Sequence, residues 1–198
     1  MGRLAVLVSG RGSNLQALID AVHQKKLNAS IVSVISDRTN AYGLQRAQIA
    51  GIPTKVFPWL KGGCREDYFQ QIADYLEDLQ IDLVVLAGFM RVLSPNIVAQ
   101  FPNRIINIHP SLLPAFPGLN AQRQALEYGV KFTGCTVHFV DEGVDSGPIL
   151  VQKVVPIQPD DTEETLAKRI LDEEHIALPE AVELALTDNW RIQGRRVI

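Results

Sequence analysis

The chain has 198 residues, of which 46% are hydrophobic, so it is long enough for one well-buried core and short for two independent ones. Its net charge is -3 and its basic residues are scattered, which excludes the basic footprint of a nucleic-acid binder and favours small-molecule partners. No apolar run approaches the roughly 18 residues of a membrane span and no signal pattern opens the chain, so a soluble, cytoplasmic protein without membrane contact is expected.

The first half of the chain alternates strand-like and helix-like segments. Strands are predicted at residues 3–8, 31–36, 55–57, 83–87 and 104–108. Helices are predicted after the first three strands, where apolar residues recur at helical spacing, as in Phe69, Ile72, Leu76 and Leu79. Ser94 and Pro95 predict the N-cap and first residue of a short helix that ends near residue 101. This alternation predicts an α/β fold with a doubly wound, mostly parallel sheet.

The pattern changes after a proline-rich loop and a predicted helix at residues 121–128. Strands are predicted at residues 133–140 and 149–155, joined by an acidic loop rich in glycine, and this pair is expected to be antiparallel. Asp161 and Glu164 have the spacing of a capping box, which predicts the start of a long C-terminal helix. Within that helix Pro179 predicts a kink or a break.

The two cysteines, Cys64 and Cys135, belong to no recognisable metal-binding or disulfide pattern. Neither lies in a Cys-x-x-Cys pair or near a pair of histidines. Reduced, buried thiols and no metal site are therefore expected.

A glycine loop at residues 9–14 lies between the first predicted strand and the first predicted helix. Backbone N–H groups and the helix dipole at such a position attract anions, and Ser13 and Asn14 can add side-chain donors. A tight turn with a helix cap is the structural alternative. Asp37, at the end of the second strand, also suggests a dinucleotide fold, but Leu15 replaces the third glycine of that motif. A monophosphate fits this loop better.

Asn107, His109 and Asp145 form the candidate catalytic set. Asn107 and His109 lie two apart at the end of a predicted strand, so their side chains leave the same face. An amide donor and an imidazole, with a carboxylate to orient and protonate the imidazole, can stabilise an oxyanion. No serine or cysteine occupies an obvious nucleophile elbow, which favours direct attack by a substrate nucleophile. The structural alternative is a polar strand end with satisfied hydrogen bonds.

Two further polar residues remain open at this point. His138 lies in a predicted strand and is expected simply to pack there. Glu174 follows Asp172 and Glu173 in an acidic run that is typical of a solvated helix face. Glu174 can alternatively reach a substrate hydroxyl or amine.

Three segments together with Asp145 carry a family resemblance: SGRGSNLQ at residues 9–16, LAGFMR at 86–91 and NIHPSLLP at 107–114. Over nearly its full length the chain resembles the phosphoribosylglycinamide formyltransferase family of folate-dependent enzymes. The resemblance implies a single Rossmann-like formyltransferase domain over residues 1–198. It further implies transfer of a formyl group from 10-formyltetrahydrofolate to the amine of glycinamide ribonucleotide in purine synthesis, without a metal, by a monomer or homodimer.

The resemblance also implies roles for individual residues. It assigns phosphate binding to the half at about 1–105, and folate binding and catalysis to the half at about 106–198. Glycinamide ribonucleotide is expected on Gly12, Ser13, Asn14 and Glu174. The folate is expected on Arg65, Met90, Arg91, Val92, Leu93 and Asn107 and on the loop at residues 140–145. Catalysis is expected from Asn107, His109 and Asp145, with the amine attacking the formyl carbon directly.

Some positions depart from the family, and related activities compete with the expected one. Arg11 stands where the family often has a smaller or neutral residue, and Asn120 and Gln122 replace histidines of a well-known member. Hydrolysis of 10-formyltetrahydrofolate is a close rival, although the phosphate loop argues against it. Methionyl-tRNA formyltransferase shares the His-x-Ser-Leu-Leu-Pro segment but needs a further domain and a basic surface. A folate or nucleotide binding module leaves the candidate catalytic set unexplained.

Overall fold

A computed structural model of the protein describes residues 1–60, 62–187 and 189–198. The chain divides into two compact units, Met1–Ile106 and Asn107–Ile198. Within the described residues, no helix has the length and apolar character that crossing a membrane requires.

The first unit is built from parallel strands that alternate with helices. Its elements are β1 Gly2–Val8, α1 Ser13–His23, β2 Ala29–Ser36, α2 Tyr42–Ile49, β3 Thr54–Val56, α3 Arg65–Asp78, β4 Leu83–Leu86, α4 Pro95–Gln100 and the start of β5 Ile105–His109. The strand order is β3-β2-β1-β4, and β1 pairs in parallel with both β2 and β4. The order reverses between β1 and β4, and in doubly wound sheets ligands bind beside such a reversal, at the carboxyl ends of the strands.

The core of the first unit lies on β1. Its residues Leu4 to Val8 are wholly buried, as the continuous apolar sequence of a central parallel strand requires. Leu15, Leu18 and Ile19 of α1 cover this sheet with the apolar stripe that the helical spacing predicts. The parallel, alternating architecture predicted for this half is confirmed.

The second unit combines the end of β5 with antiparallel strands. Its remaining elements are α5 Ala121–Tyr128, β6 Phe132–Phe139, β7 Ile149–Pro156, α6 Glu163–Ala185, β8 Ile192–Gln193 and β9 Arg196–Val197. The strands β6 and β7 are antiparallel, as predicted, and a short antiparallel β8–β9 hairpin that was not predicted pairs in parallel with β7 through β9. The sheet is therefore mixed, with parallel pairs in the first unit and mainly antiparallel pairs in the second.

The structure shows how two predicted helix starts are capped. The capping box of α6 joins Thr162 to Thr165, and Asp161 instead accepts a hydrogen bond from Arg169 Nη1 at 2.8 Å. At α4 the Ser94 hydroxyl donates to Asn96 Oδ1 and makes no side-chain bond to the helix N-terminus. Ser94 as the N-cap residue and Pro95 as the first helical residue of α4 are confirmed, whereas the capping box of α6 lies one residue later than predicted.

Two packing predictions are also corrected. Pro179 does not break α6, which continues from Glu163 to Ala185. Buried residues on both sides of the proline, Leu178 and Ala181, continue the packed face, and this burial offsets the lost backbone hydrogen bond. Cys135 is a buried free thiol as expected, whereas Cys64 is a free thiol exposed just before α3.

Candidate functional site

The candidate catalytic side chains meet at the end of β5. Asn107 Nδ2 donates a long hydrogen bond of 3.4 Å to Asp145 Oδ1. His109 Nδ1 lies 3.3 Å from the other carboxylate oxygen of Asp145. Alternate residues of a strand project to the same side, and this geometry lets one carboxylate on the β6–β7 loop reach both. The three residues that the sequence singled out are thus brought together.

The two ring nitrogens of His109 face two hydrogen-bond acceptors. Its Nδ1 atom faces the Asp145 carboxylate, and its Nε2 atom lies 2.9 Å from the carbonyl oxygen of Phe116. A carboxylate and a carbonyl can only accept hydrogen bonds, so each ring nitrogen faces an acceptor. The side chain is only 6% exposed, which places the ring in a largely water-excluded position.

Asp145 is enclosed by hydrogen-bond donors. Its side chain is 12% exposed, and the Gly118 N–H donates to Oδ2 at 2.8 Å. Burial by itself raises the pKa of Asp145, but hydrogen bonds from His138 and Gly118 and the charge of His109 outweigh burial and leave that pKa below its usual value. Asp145 is therefore an ionised partner for His109 at neutral pH.

His138 is a member of this cluster that the sequence analysis missed. Its Nδ1 atom donates to the carbonyl oxygen of Phe139 at 2.8 Å, because a carbonyl oxygen can only accept a hydrogen bond. Nε2 lies 3.3 Å from Asn107 Nδ2 and 3.7 Å from Asp145 Oδ1. The sequence shows only a histidine on the strand that precedes the Asp145 loop. Its position beside Asn107 depends on how the strands pair, which the sequence does not show.

The loop after β5 closes on the same polar groups. Phe116 adopts a left-handed conformation with φ of 54° and directs its carbonyl at His109. Two residues later the Gly118 N–H binds Asp145, which itself has φ of 51°. The Phe116 carbonyl therefore occupies Nε2 of His109, and the Gly118 N–H occupies one oxygen of Asp145.

The glycine loop of the first unit ends on a close backbone contact. Gly12 caps α1 in a left-handed conformation with φ of 68°, and Ser13 is the first helical residue. A Cβ atom on Gly12 would lie 2.6 Å from the Cα of Gly43, so glycine is needed at position 12 for α1 and α2 to start this close together. The loop therefore presents the N-terminus of an 11-residue helix, a favourable position for an anion.

Asp37 does not have the geometry of a ribose-binding acid. Its side chain is fully buried, Oδ1 accepts from the Ser9 hydroxyl at 2.6 Å and Oδ2 accepts from Arg91 Nε at 2.7 Å. Both oxygens are engaged inside the first unit, so the dinucleotide interpretation loses the acid on which it depended.

The residues assigned to folate lie on the segment after β4. Met90 and Val92 are exposed, at 58% and 57%, whereas Leu93 is buried. Arg65, the first residue of α3, donates to the Val92 carbonyl at 2.9 Å and also to that of Leu93. Arg65 therefore contacts the backbone of residues 92 and 93, which the resemblance also assigns to the folate.

Glu174 is only 8% exposed, so the expectation of a solvated helix face is wrong for this residue. It lies on the side of α6 that packs on β6. Burial, followed by the nearby charge of Glu174, raises the pKa of the Cys135 thiol to about 12. The position keeps Cys135 as an inert thiol and Glu174 in the interior of the second unit.

Known proteins are similar to this one over nearly the whole chain. A family model described as formyl transferase matches residues 2–182. The trifunctional purine biosynthetic protein adenosine-3 of Drosophila melanogaster is 53% identical over 182 residues, which cover 91% of this chain but 14% of that protein. The chain thus spans about one seventh of the length of this relative. Phosphoribosylglycinamide formyltransferase of Haemophilus influenzae is 44% identical over 98% of this chain and 89% of its own length.

Solved structures of formyl-transferring and deformylating enzymes superpose closely on this chain. Glycinamide ribonucleotide transformylase 1 of Symbiobacterium toebii superposes with a TM-score of 0.97 at 50% identity, covering 100% of this chain and 93% of that one. A formyltetrahydrofolate deformylase of Pseudomonas syringae superposes with a TM-score of 0.93 at 29% identity, covering 100% of this chain and 65% of that one. The chain belongs to the formyl transferase family.

Proposed function

We propose that this protein transfers the formyl group of 10-formyltetrahydrofolate to the amine of 5-phosphoribosylglycinamide, a step of de novo purine biosynthesis. The observation that carries the proposal is the meeting of Asn107, His109 and Asp145, with both nitrogens of His109 facing hydrogen-bond acceptors. Relatives that bear the name of this activity match almost the full chain.

The proposed reaction is a direct acyl transfer. The substrate amine attacks the formyl carbon, a new C–N bond forms and the carbonyl oxygen becomes an oxyanion. Asn107 Nδ2 and the protonated Nε2 of His109 donate to that oxygen, and fixed donors of this kind typically contribute about 10²-fold or more to the rate. The tetrahedral intermediate then collapses as the bond to the folate nitrogen breaks. The amine loses a proton and the folate nitrogen gains one, so the products are the formamide and tetrahydrofolate.

The proposed role of Asp145 is to keep His109 charged and to assist the proton transfer, in part through water. Its low pKa and its short distance from His109 support this role. The carbonyl of Phe116 occupies Nε2 of His109, so productive binding requires the loop at residues 111–120 to release that contact. We therefore infer that this loop moves during substrate binding.

We assign the glycinamide ribonucleotide phosphate to the backbone N–H groups of Gly12, Ser13 and Asn14. The helix start at Ser13 supports this assignment, because the positive end of the helix dipole favours a dianion there. We assign its glycinamide or ribose portion to Glu174. Two residues that depart from the family pattern, Asn120 and Gln122, receive no catalytic role.

The proposed folate site uses the segment of Met90, Arg91, Val92 and Leu93 together with Arg65, Asn107 and the loop at residues 140–145. The pterin is expected to bind mainly backbone groups, which suits the exposed Met90 and Val92. The partners we infer are therefore small molecules, with the protein acting as a monomer or homodimer.

Hydrolysis of 10-formyltetrahydrofolate is the second candidate function. The same polarised formyl group would be attacked by water in place of an amine, and the superposition with a deformylase supports this alternative. The glycine loop distinguishes the two functions, because hydrolysis needs no phosphate-bearing acceptor.

The test is an assay of purified protein with 10-formyltetrahydrofolate, with and without glycinamide ribonucleotide, followed by detection of the formylated amine. Turnover that depends on the amine and yields its formamide is expected. Equal turnover without the amine would establish the hydrolase instead, and no turnover in either mixture would contradict both functions.

A further inference from the structure

A buried carboxylate lies beneath the segment to which we assign the folate. Asp37 follows β2, and its side chain has no solvent exposure. Ser9 donates to one of its oxygens at 2.6 Å and Arg91 donates to the other at 2.7 Å. The guanidinium of Arg91 also lies 4.9 Å from the centre of the Trp59 ring, so the aromatic face covers the ion pair.

Ser9 connects this carboxylate to the backbone of the donor segment. Its hydroxyl has one proton, which it donates to Asp37, so a lone pair remains for the N–H of Met90 at 2.8 Å. The Ser9 N–H donates to the Gly88 carbonyl at 3.0 Å. Both ends of the tripeptide from Gly88 to Met90 are therefore tied to Ser9, and the charge of Asp37 sets the direction of the hydrogen bonds.

The far end of the segment is held separately. Arg65 binds the carbonyl of Val92 through Nε and Nη2, at 3.2 and 2.9 Å, and that of Leu93 through Nη2. Residues 90–93 are thus anchored by Ser9 and Asp37 at one end and by Arg65 at the other. Met90 and Val92 remain exposed between the anchors.

We propose that Asp37 is a positioning residue for the formyl donor, which orients the backbone of residues 90–93 through Ser9 and Arg91 without contacting the folate. This inference rests on the proposed function, because it takes residues 90–93 as the donor-binding segment. Asp37 offers two acceptor oxygens to two donors, whereas asparagine has one oxygen. Asp37→Asn keeps the size of the side chain but removes its charge and one of its two acceptor oxygens, so that an amide NH₂ replaces the carboxylate oxygen that faces either Ser9 or Arg91.

The test compares Asp37→Asn with Asp161→Asn as a matched control. Asp161 also has an almost fully buried side chain, 2% exposed, paired with an arginine that is about one third exposed. Asp37→Asn is expected to raise the KM for 10-formyltetrahydrofolate by about 10-fold, from the loss of a charge-assisted hydrogen bond. The kcat and the KM for glycinamide ribonucleotide are expected to change less than about threefold. Asp161→Asn is expected to leave both KM values unchanged.

Two readouts do not depend on activity. The Met90 amide is expected to exchange its hydrogen faster in Asp37→Asn, and Trp59 emission is expected to shift when Arg91 leaves its ring. The emission is recorded in a Trp190→Phe background, because Trp59 and Trp190 are the two tryptophans of the chain. Ser9→Ala is the second variant, since it cuts the link to Met90 but leaves the Asp37–Arg91 pair. Ser33→Ala, at a buried serine of β2 bonded to Tyr75, is its control.

Unchanged donor KM and unchanged Met90 exchange in both Asp37→Asn and Ser9→Ala would overturn the inference. If Asp37→Asn fails to fold, Ser9→Ala alone decides by the same two measurements. Absence of amine-dependent turnover in the wild-type protein would instead contradict the proposed function. In that case the Met90 exchange rate still decides whether Asp37 and Ser9 hold the segment.

Discussion

At the scale of single residues, the candidate site depends on which groups can only accept hydrogen bonds. His109 lies between the Asp145 carboxylate and the Phe116 carbonyl, and Asn107 lies between Asp145 and the Nε2 of His138. These contacts orient one imidazole ring and one amide. The proposed mechanism depends on that orientation, because both side chains are to donate to the same developing charge.

Removal of either oxyanion donor is the first prediction. Asn107→Ala and His109→Ala are each expected to lower kcat by roughly 10²-fold or more, because each removes a donor to the charge that develops on the formyl oxygen. His23→Ala, at the exposed end of α1, is the control and is expected to retain activity. Steady-state kinetics with both substrates measures the effect. Near-normal kcat in both site variants would exclude the oxyanion mechanism.

Replacement of the carboxylate is the second prediction. Asp145→Asn presents an amide to His109, so the ring loses the partner that favours its second proton, and kcat is expected to fall by roughly 10²-fold. The pH–rate profile is expected to differ from that of the wild-type protein. Because the Asp145 side chain is 12% exposed, some loss of stability is expected as well, in contrast to a fully exposed loop.

The control for Asp145→Asn is Glu180→Gln, which removes a half-exposed carboxylate paired with Lys153 in the same unit. Its pH–rate profile is expected to match that of the wild-type protein. A wild-type profile in Asp145→Asn itself would show that His109 does not depend on this charge.

At the scale of elements, the glycine loop is defined by the approach of two helices. Gly12 and Gly43 are the points where the starts of α1 and α2 come into contact, and the Gly43 N–H donates to the Gly10 carbonyl at 3.0 Å. The loop shape is therefore a packing requirement of the first unit as well as a proposed phosphate site.

Substitution at these glycines is the third prediction. Gly12→Ala is expected to lower the free energy of unfolding by about 2 kcal/mol or more, from left-handed strain and the clash with Gly43. Gly10→Ala is the matched control, since a Cβ atom there meets no atom within 4 Å. Urea unfolding of both variants is the measurement. Equal midpoints for the two alanine variants would contradict the packing argument.

At the scale of the whole molecule, buried carboxylates link stability to pH. The Arg169 hydrogen bonds hold the pKa of Asp161 well below its usual value, and the pKa of Asp145 is also lowered, since its hydrogen bonds outweigh the effect of burial. A carboxyl group whose pKa is lower in the folded state stabilises that state fully above the unfolded pKa of about 3.9. The contribution is lost as the pH falls through the unfolded and then the folded pKa.

Acid unfolding is the fourth prediction. Wild-type stability is expected to decrease steeply below about pH 4. Asp161→Asn is expected to have a lower free energy of unfolding than the wild type at pH 7. On acidification its free energy of unfolding is expected to decrease less, so the difference between the two proteins becomes smaller towards pH 3. Urea unfolding of both proteins at the two pH values checks this. If the difference in free energy of unfolding stays constant between the two pH values, ionised Asp161 does not stabilise the folded state.

The order and type of most elements followed from the sequence, because hydrophobic periodicity and glycine or proline boundaries are local signals. Residues 121–128 form α5 as predicted, and β5 starts and ends one residue later than predicted. The continuity of α6 through Pro179 did not follow, since it depends on what the helix buries. The β8–β9 hairpin was missed because each of its strands has only two residues and carries no periodicity.

The sequence by itself determined the alternating α/β architecture, the glycine loop before α1 and the pairing of Asn107 with His109, because each depends on spacing along one strand or turn. Only the tertiary structure decided that His138 joins the site, that Asp37 is enclosed by Ser9 and Arg91, and that Glu174 is buried. These contacts join residues far apart in the chain, and such contacts exist only once strands pair and helices pack. Local sequence encodes which groups are available, and the fold decides which of them meet.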